Sequence, residues 1–278
     1  MKIERGMNCV FKCMACLSLC ASSTSLLTAG TVADNFDIAK DYSTKNVAGT
    51  IWDGVMFNDG PIGGQNGTLL LANATITNAG RLTLSSSNGS WENNDADGFL
   101  LYRNVSGDFT ATVQVTSANN PSFHDMGLMA RVANAADAGA GEDYVAGRYF
   151  AFGNATSLRS VNNGATTNTD VPTLHAFLKL ERVGDLFTYT RADDSAFLLN
   201  VVTSSVSRTD LAGLPLQVGI WQATFNGNVG TATFDNFSLT ADSIVTAAVP
   251  EPSSIISMVL VGFVALFCGW KAVAAKRR

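Results

Sequence analysis

"DFTATVQVT", residues 108–116, decides the class of fold. Phe109, Ala111, Val113 and Val115 fall on one side of an extended chain, with Thr110, Thr112, Gln114 and Thr116 on the other. A period of two belongs to a strand that lays one face on a core. The pattern recurs in "HAFLKLERV" (175–183), where Ala176, Leu178 and Leu180 oppose Lys179 and Glu181. Gly184-Asp185 then turns the chain into "LFTYTRAD", a hairpin. A second hairpin is expected between "LQVGIWQATF" and "GTATFDNFSL", turning at Asn226-Gly227-Asn228. Runs such as "RLTLSSS", "MGLMARV" and "DYVAGRYFAF" add further strands, and no long helical period interrupts them. The expectation is an all-β, antiparallel β-sandwich over residues 34–242.

The two ends read differently. Lys2, Arg5 and Lys12 accompany a small-and-apolar segment, and Thr31 and Ala33 set small residues ahead of a cut before Asp34. This is the pattern of a secretory signal peptide over 1–33. At the other end, the uncharged apolar run from Ile255 to Trp270 precedes "KAVAAKRR". With its helical extension, 255–275, it is long enough to span a bilayer once Lys271 snorkels, and the basic residues 276–278 hold the tail on the cytoplasmic side. All five cysteines lie in these ends, at 9, 13, 16, 20 and 268. The body is therefore free of disulfide and thiolate chemistry. Residues 13–270 carry 11 basic and 22 acidic side chains, so the body repels a phosphate backbone and nucleic acid is not an expected partner.

The linker 243–254 contains Pro250-Glu251-Pro252, followed by Ser253-Ser254, the apolar helix and the terminal Lys-Arg-Arg. In that order these elements resemble the PEP-CTERM sorting signal of bacterial envelope proteins. The resemblance implies recognition of the tripeptide by an exosortase, a membrane-embedded transpeptidase, and processing nearby. The body resembles concanavalin A-like jelly rolls through "GTIWDGVMFNDG" (49–60), "GFLLYRNVSGDFTATVQV" (98–115), "GLMAR" (127–131), "LKLERVGDLFTYTR" (178–191) and "LQVGIWQATFNGNVGTATFDNFSL" (216–239). That resemblance implies two packed sheets with one concave face, and carbohydrate binding only loosely.

Catalytic chemistry finds little support in the residues. A jelly-roll glycosidase sets two carboxylates across the sugar from a Glu-x-Asp-x-x-Glu strand, and Glu92, Glu142 and Glu181 form no such triad. His124 and His175 are the only histidines, and both read as surface or turn residues. The expectation is no enzyme, with a glycoside-active protein of non-standard carboxylates or a ligand-free surface protein as alternatives. Aromatic platforms flanked by planar polar groups suit sugars. The candidates are Trp91, Tyr102, Arg131, Tyr149, Arg159 and Trp221, with core packing for Trp221 and intrasheet salt bridges for the two arginines as the competing readings. "ENNDAD" (92–97) offers Asp95 and Asp97 for a structural calcium, or simply a turn. Otherwise no cofactor is expected.

Overall fold

A computed structural model describes residues 27–59, 67–132, 141–225 and 227–245. The signal segment up to Leu26, the Pro250-Glu251-Pro252 motif and the apolar tail 255–275 lie outside the described residues. Among the described residues, fifteen strands follow one another in chain order. They are β1 (Leu27–Asp34), β2 (Lys40–Asp41), β3 (Gly54–Met56), β4 (Thr68–Ala74), β5 (Leu82–Ser87), β6 (Phe99–Ala118), β7 (His124–Val132) and β8 (Tyr144–Phe150). After these come β9 (Ala155–Asn162), β10 (Ala165–Val171), β11 (Phe177–Val183), β12 (Leu186–Ala192), β13 (Val202–Ser207), β14 (Leu216–Thr224) and β15 (Gly230–Val245). Every pairing is antiparallel.

The long strand β6 joins two layers. Its first half pairs with β3 and β14, and its second half with β11 and β15. Gly107, with φ of +77°, sits at the change-over, where a side chain would strain the backbone. The first layer therefore runs β3-β6-β14-β7-β8-β9-β10, and the second runs β13-β12-β11-β6-β15 before continuing to β5, β4 and β2. Strand β1 completes the edge of β15, from Leu27↔Val245 to Asp34↔Phe237.

The layers close because the alternation is obeyed. Phe109, Ala111, Val113 and Val115 of β6 and Leu178 and Leu180 of β11 meet Leu128, Val145, Leu158 and Ile220 in one buried cluster. Apolar burial of this kind drives the two sheets together. The outward side of the second layer is hydroxyl-rich: Thr31 and Thr240 bond at 2.8 Å, with Thr110 next across. Glu181 of that face pairs with Lys179 at 2.9 Å, as its alternation to solvent predicts.

Of the two expected hairpins one forms and the other does not. The hairpin at Gly184-Asp185 forms, joining β11 to β12. The strands on either side of residues 226–228 do not pair with each other, because β6 lies between β14 and β15. The first described strand, β1, starts at Leu27, seven residues ahead of the expected cut before Asp34. A chain cut there would lack β1 and leave one edge of β15 bare. Among the described residues no helix is long and apolar enough to cross a membrane.

Candidate functional site

The outward side of the first layer carries polar and aromatic groups in cross-strand rows. Register places Gln217, Arg131, Tyr144, Val161 and Thr166 in one row, and Trp221, Gly127, Arg148, Ser157 and Asp170 four residues along. Over this face lies the segment 88–98. Its Trp91 is 1% exposed, meets Tyr144 edge-on at 6.1 Å and donates from Nε1 to Phe99 O at 3.3 Å. The Trp91 carbonyl accepts from Tyr144 Oη and from Arg159 Nη1, the latter at 3.1 Å. Further on, Asn93 N donates to Thr166 Oγ1 at 2.9 Å. The segment is thus a strap fastened at β6 and at β10, crossing the strands between.

Between the strap and the loops at one end of the strands is a cleft of about 240 Å³. Its floor is Asp125, Arg148, Phe150, Arg159 and Ala223, and its strap side is Gly89 to Glu92. The carboxylate of Asp125 bridges two guanidiniums, with Oδ1 at 2.9 Å from Arg148 and Oδ2 at 3.1 Å from Arg159. Arg148 also lies over the Phe150 ring at 3.9 Å, a cation–π contact. Arg159 completes its bonding through Nε to Asn168 Oδ1 at 3.0 Å. Burial works against its charge, but Asp125 and the neighbouring groups outweigh burial and hold Arg159 protonated above the ordinary arginine range.

The rim is made of phenylalanines from three loops. Phe123, Phe152 and Phe225 are 51%, 54% and 38% exposed. Phe123 meets Phe225 at 5.8 Å in a T-shaped pair and Phe152 at 6.3 Å. Phe123 also holds φ at +58°, a region that costs a non-glycine residue roughly 1–2 kcal/mol. An exposed aromatic cluster on a strained backbone is the kind of feature that marks a binding surface rather than a core.

The six ligand candidates separate. Trp91 and Arg159 line the cleft. Trp221 lies beneath it, fully buried, its Nε1 donating to Leu128 O at 3.1 Å. Packing, not ligand contact, is its role. Arg131 is on the same face, but Glu142 fills its guanidinium fork at 2.8 and 2.9 Å, and Gln217 Oε1 takes Nη1 at 3.1 Å. Tyr102 packs beside this cluster and does not line the cleft; burial, with Asp53 close by, pushes its phenol up. Tyr149 points to the opposite side, against the sandwich core. The three rim phenylalanines escape a search for Trp and Tyr. Their signal is position: Phe123 follows Pro121-Ser122, and Phe152 precedes Gly153-Asn154, both turn contexts.

Neither histidine is a surface group. His124 is fully buried, with Nδ1 donating to Asn119 O at 3.0 Å and Nε2 accepting from Gln222 Nε2 at 2.9 Å; burial pushes its pKa down. His175 is also buried and bonds Asp193 at 2.8 Å. Asp97 is buried with Oδ2 making no hydrogen bond, and burial together with the Asp95 charge pushes its carboxyl up. Among the described residues no third His, Cys, Asp or Glu joins these two in a metal-binding group.

No protein-family model matches the chain, and no curated protein is similar to it at a significant level. Solved structures similar to it include a functionally unknown protein from Saccharomyces cerevisiae (18% identity, 63% of this chain and 96% of that one, TM-score 0.48). A Bacillus licheniformis beta-glucanase is similar at 12% identity over 77% of this chain and 99% of its own, TM-score 0.46. A basic winged bean lectin, solved with Tn-antigen, is similar at 10% identity over 77% and 99%, TM-score 0.43. Similarity at this level assigns no ligand.

Proposed function

We propose that this chain is an exported, envelope-sorted surface or matrix protein that binds extracellular polysaccharide in the phenylalanine-rimmed cleft without cleaving it. The observation that carries the reading is the rim itself: three exposed phenylalanines, one on a strained backbone, above a floor of ion-paired side chains. Such a surface offers apolar ring faces to a sugar, with the exposed Asn168 and Glu92 placed to meet its hydroxyls. A two-layer antiparallel body with its cleft on one outward face also agrees with the concanavalin A-like jelly-roll reading.

The non-catalytic part rests on the carboxylates. Glycoside hydrolysis needs two, one to donate a proton and one to attack or activate water. Among the described residues lining the cleft these are Glu92 and Asp125, and each Asp125 oxygen stands within ion-pair distance of a guanidinium. That leaves Glu92 without a free partner.

The test is a glycan array on the full chain in mild detergent, followed by titration of any glycan retained. Phe225→Ala should weaken that glycan about ten-fold, roughly 1.4 kcal/mol, with little change in stability. An empty array, or unaltered affinity in the variant, would remove the reading.

Export and sorting rest on the terminal patterns, with the C-terminal helix as membrane anchor and an exosortase-like transpeptidase as processing partner. Mass spectrometry of the mature protein checks both ends. The expected chain begins upstream of Leu27, which keeps β1, and has lost its basic C-terminus. Alanines at Pro250-Glu251-Pro252 should leave that tail attached. A tail removed equally from the alanine variant would count against sorting.

A further inference from the structure

The charges around the cleft constrain the class of polysaccharide. Of its two guanidiniums, Arg159 is committed to Asp125, the Trp91 carbonyl and Asn168. Arg148 is ion-paired with Asp125 and stacked on Phe150, and its Nε, which makes no hydrogen bond, is shut off from solvent. Neither residue is more than 7% exposed. The ionic groups that do reach solvent here are acids. Glu92 is an exposed residue on the strap side, close enough to Arg159 to act on its charge. The Asp170 side chain, in the same cross-strand row as Arg148, is 58% exposed and stands 3.7 Å from that guanidinium. The two arginines are offset by Asp125 and Glu92, and Asp170 leaves the surroundings one charge negative.

We infer that the cleft selects glycans without negative charge, and that Glu92 and Asp170 are the specificity-determining residues that reject uronate and sulfate groups. This rests on the carbohydrate reading above. An incoming carboxylate finds no exposed guanidinium to pair with, and meets two exposed carboxylates in a body whose excess of acidic residues repels it further. A neutral pyranose loses nothing by that arrangement: its faces take the phenylalanines and its hydroxyls donate to Glu92.

The experiment uses the full chain in detergent and two groups of soluble probes at 20 mM and 500 mM NaCl. The neutral group is laminarin, xylan, galactomannan and dextran; the acidic group is alginate and polygalacturonate. The expected result is retention of at least one neutral polymer with an affinity that salt leaves within about two-fold, and no retention of the acidic polymers at low salt. The variant Glu92→Gln/Asp170→Asn, altering exposed side chains only, should raise the affinity for the acidic polymers at least ten-fold at 20 mM NaCl, which narrows the gap from the acidic side. Tighter binding of alginate or polygalacturonate than of every neutral polymer, weakening with salt, would overturn the inference while leaving polysaccharide binding in place. An unchanged gap in the double variant would overturn the role of the two acids. Failure of every probe at both salt concentrations would instead remove the carbohydrate reading and the inference with it.

Discussion

Gly219→Ala is expected to destabilise the protein by about 3 kcal/mol or more, at the upper end of what an over-packed interior position costs. Gly219 lies on β14 opposite Tyr102 of β6, where the two strands that carry the cleft's layer come together. A Cβ at this position would stand 1.8 Å from Leu101 O and 2.8 Å from Leu101 C. Both are backbone atoms of the neighbouring strand, so no rotamer change relieves the overlap. The strands must part, and hydrogen bonds between β14 and β6 go with them. Gly227→Ala is the matched control, since the nearest atom to its added carbon is 3.9 Å away. Urea denaturation followed by tryptophan fluorescence reads both variants. Equal midpoints would show that the pairing of β14 on β6 is looser than described.

Trp91→Ala is expected to cost about 3–5 kcal/mol, the range for removing a large buried aromatic side chain. The indole is fastened by its bond to Phe99 O and by the edge contact with Tyr144, and it presses on Gly98, where an added Cβ would come within 2.2 Å of the ring. Its loss empties the space under the strap and should loosen the strap's hold between β6 and β10. The contrast with Phe225→Ala separates the two kinds of aromatic. The tryptophan variant should lose stability first and sugar affinity as a consequence, whereas the phenylalanine variant should lose affinity at nearly unchanged stability. Denaturation midpoints that fell equally in both would contradict this division.

How much of this is legible in the residues depends on how local the signal is. The alternation in β6, β11 and β12 reads directly, and Val113, Leu180 and Tyr189 are buried as the period of two requires. Which strands pair is not local information. β14 and β15 are neighbours in sequence yet β6 separates them, because β6 is long enough to serve both layers, pairing with β14 in one and with β15 in the other. The site follows the same division. Arg131 and Arg159 look like free sugar-binding groups until Glu142 and Asp125 appear beside them, 11 and 34 residues away in the chain. Trp91 and Trp221 look like platforms until the strap and the cross-strand rows bury them. Phe225, at the end of an apolar run, looks like a core residue, and only the fold turns it outward.

The central claim is that a polysaccharide meets the phenylalanine rim and not the buried tryptophans or the hydroxyl-rich face of the second layer. Its most direct test is a titration of the isotopically labelled full chain with whichever neutral glycan binds, followed by NMR at assigned backbone and aromatic positions. The expected perturbations centre on Phe123, Phe152, Phe225, Glu92 and Asn168, with the positions around Thr31, Thr110 and Thr240 silent. Perturbations that centre on those threonines, with the rim silent, would contradict it.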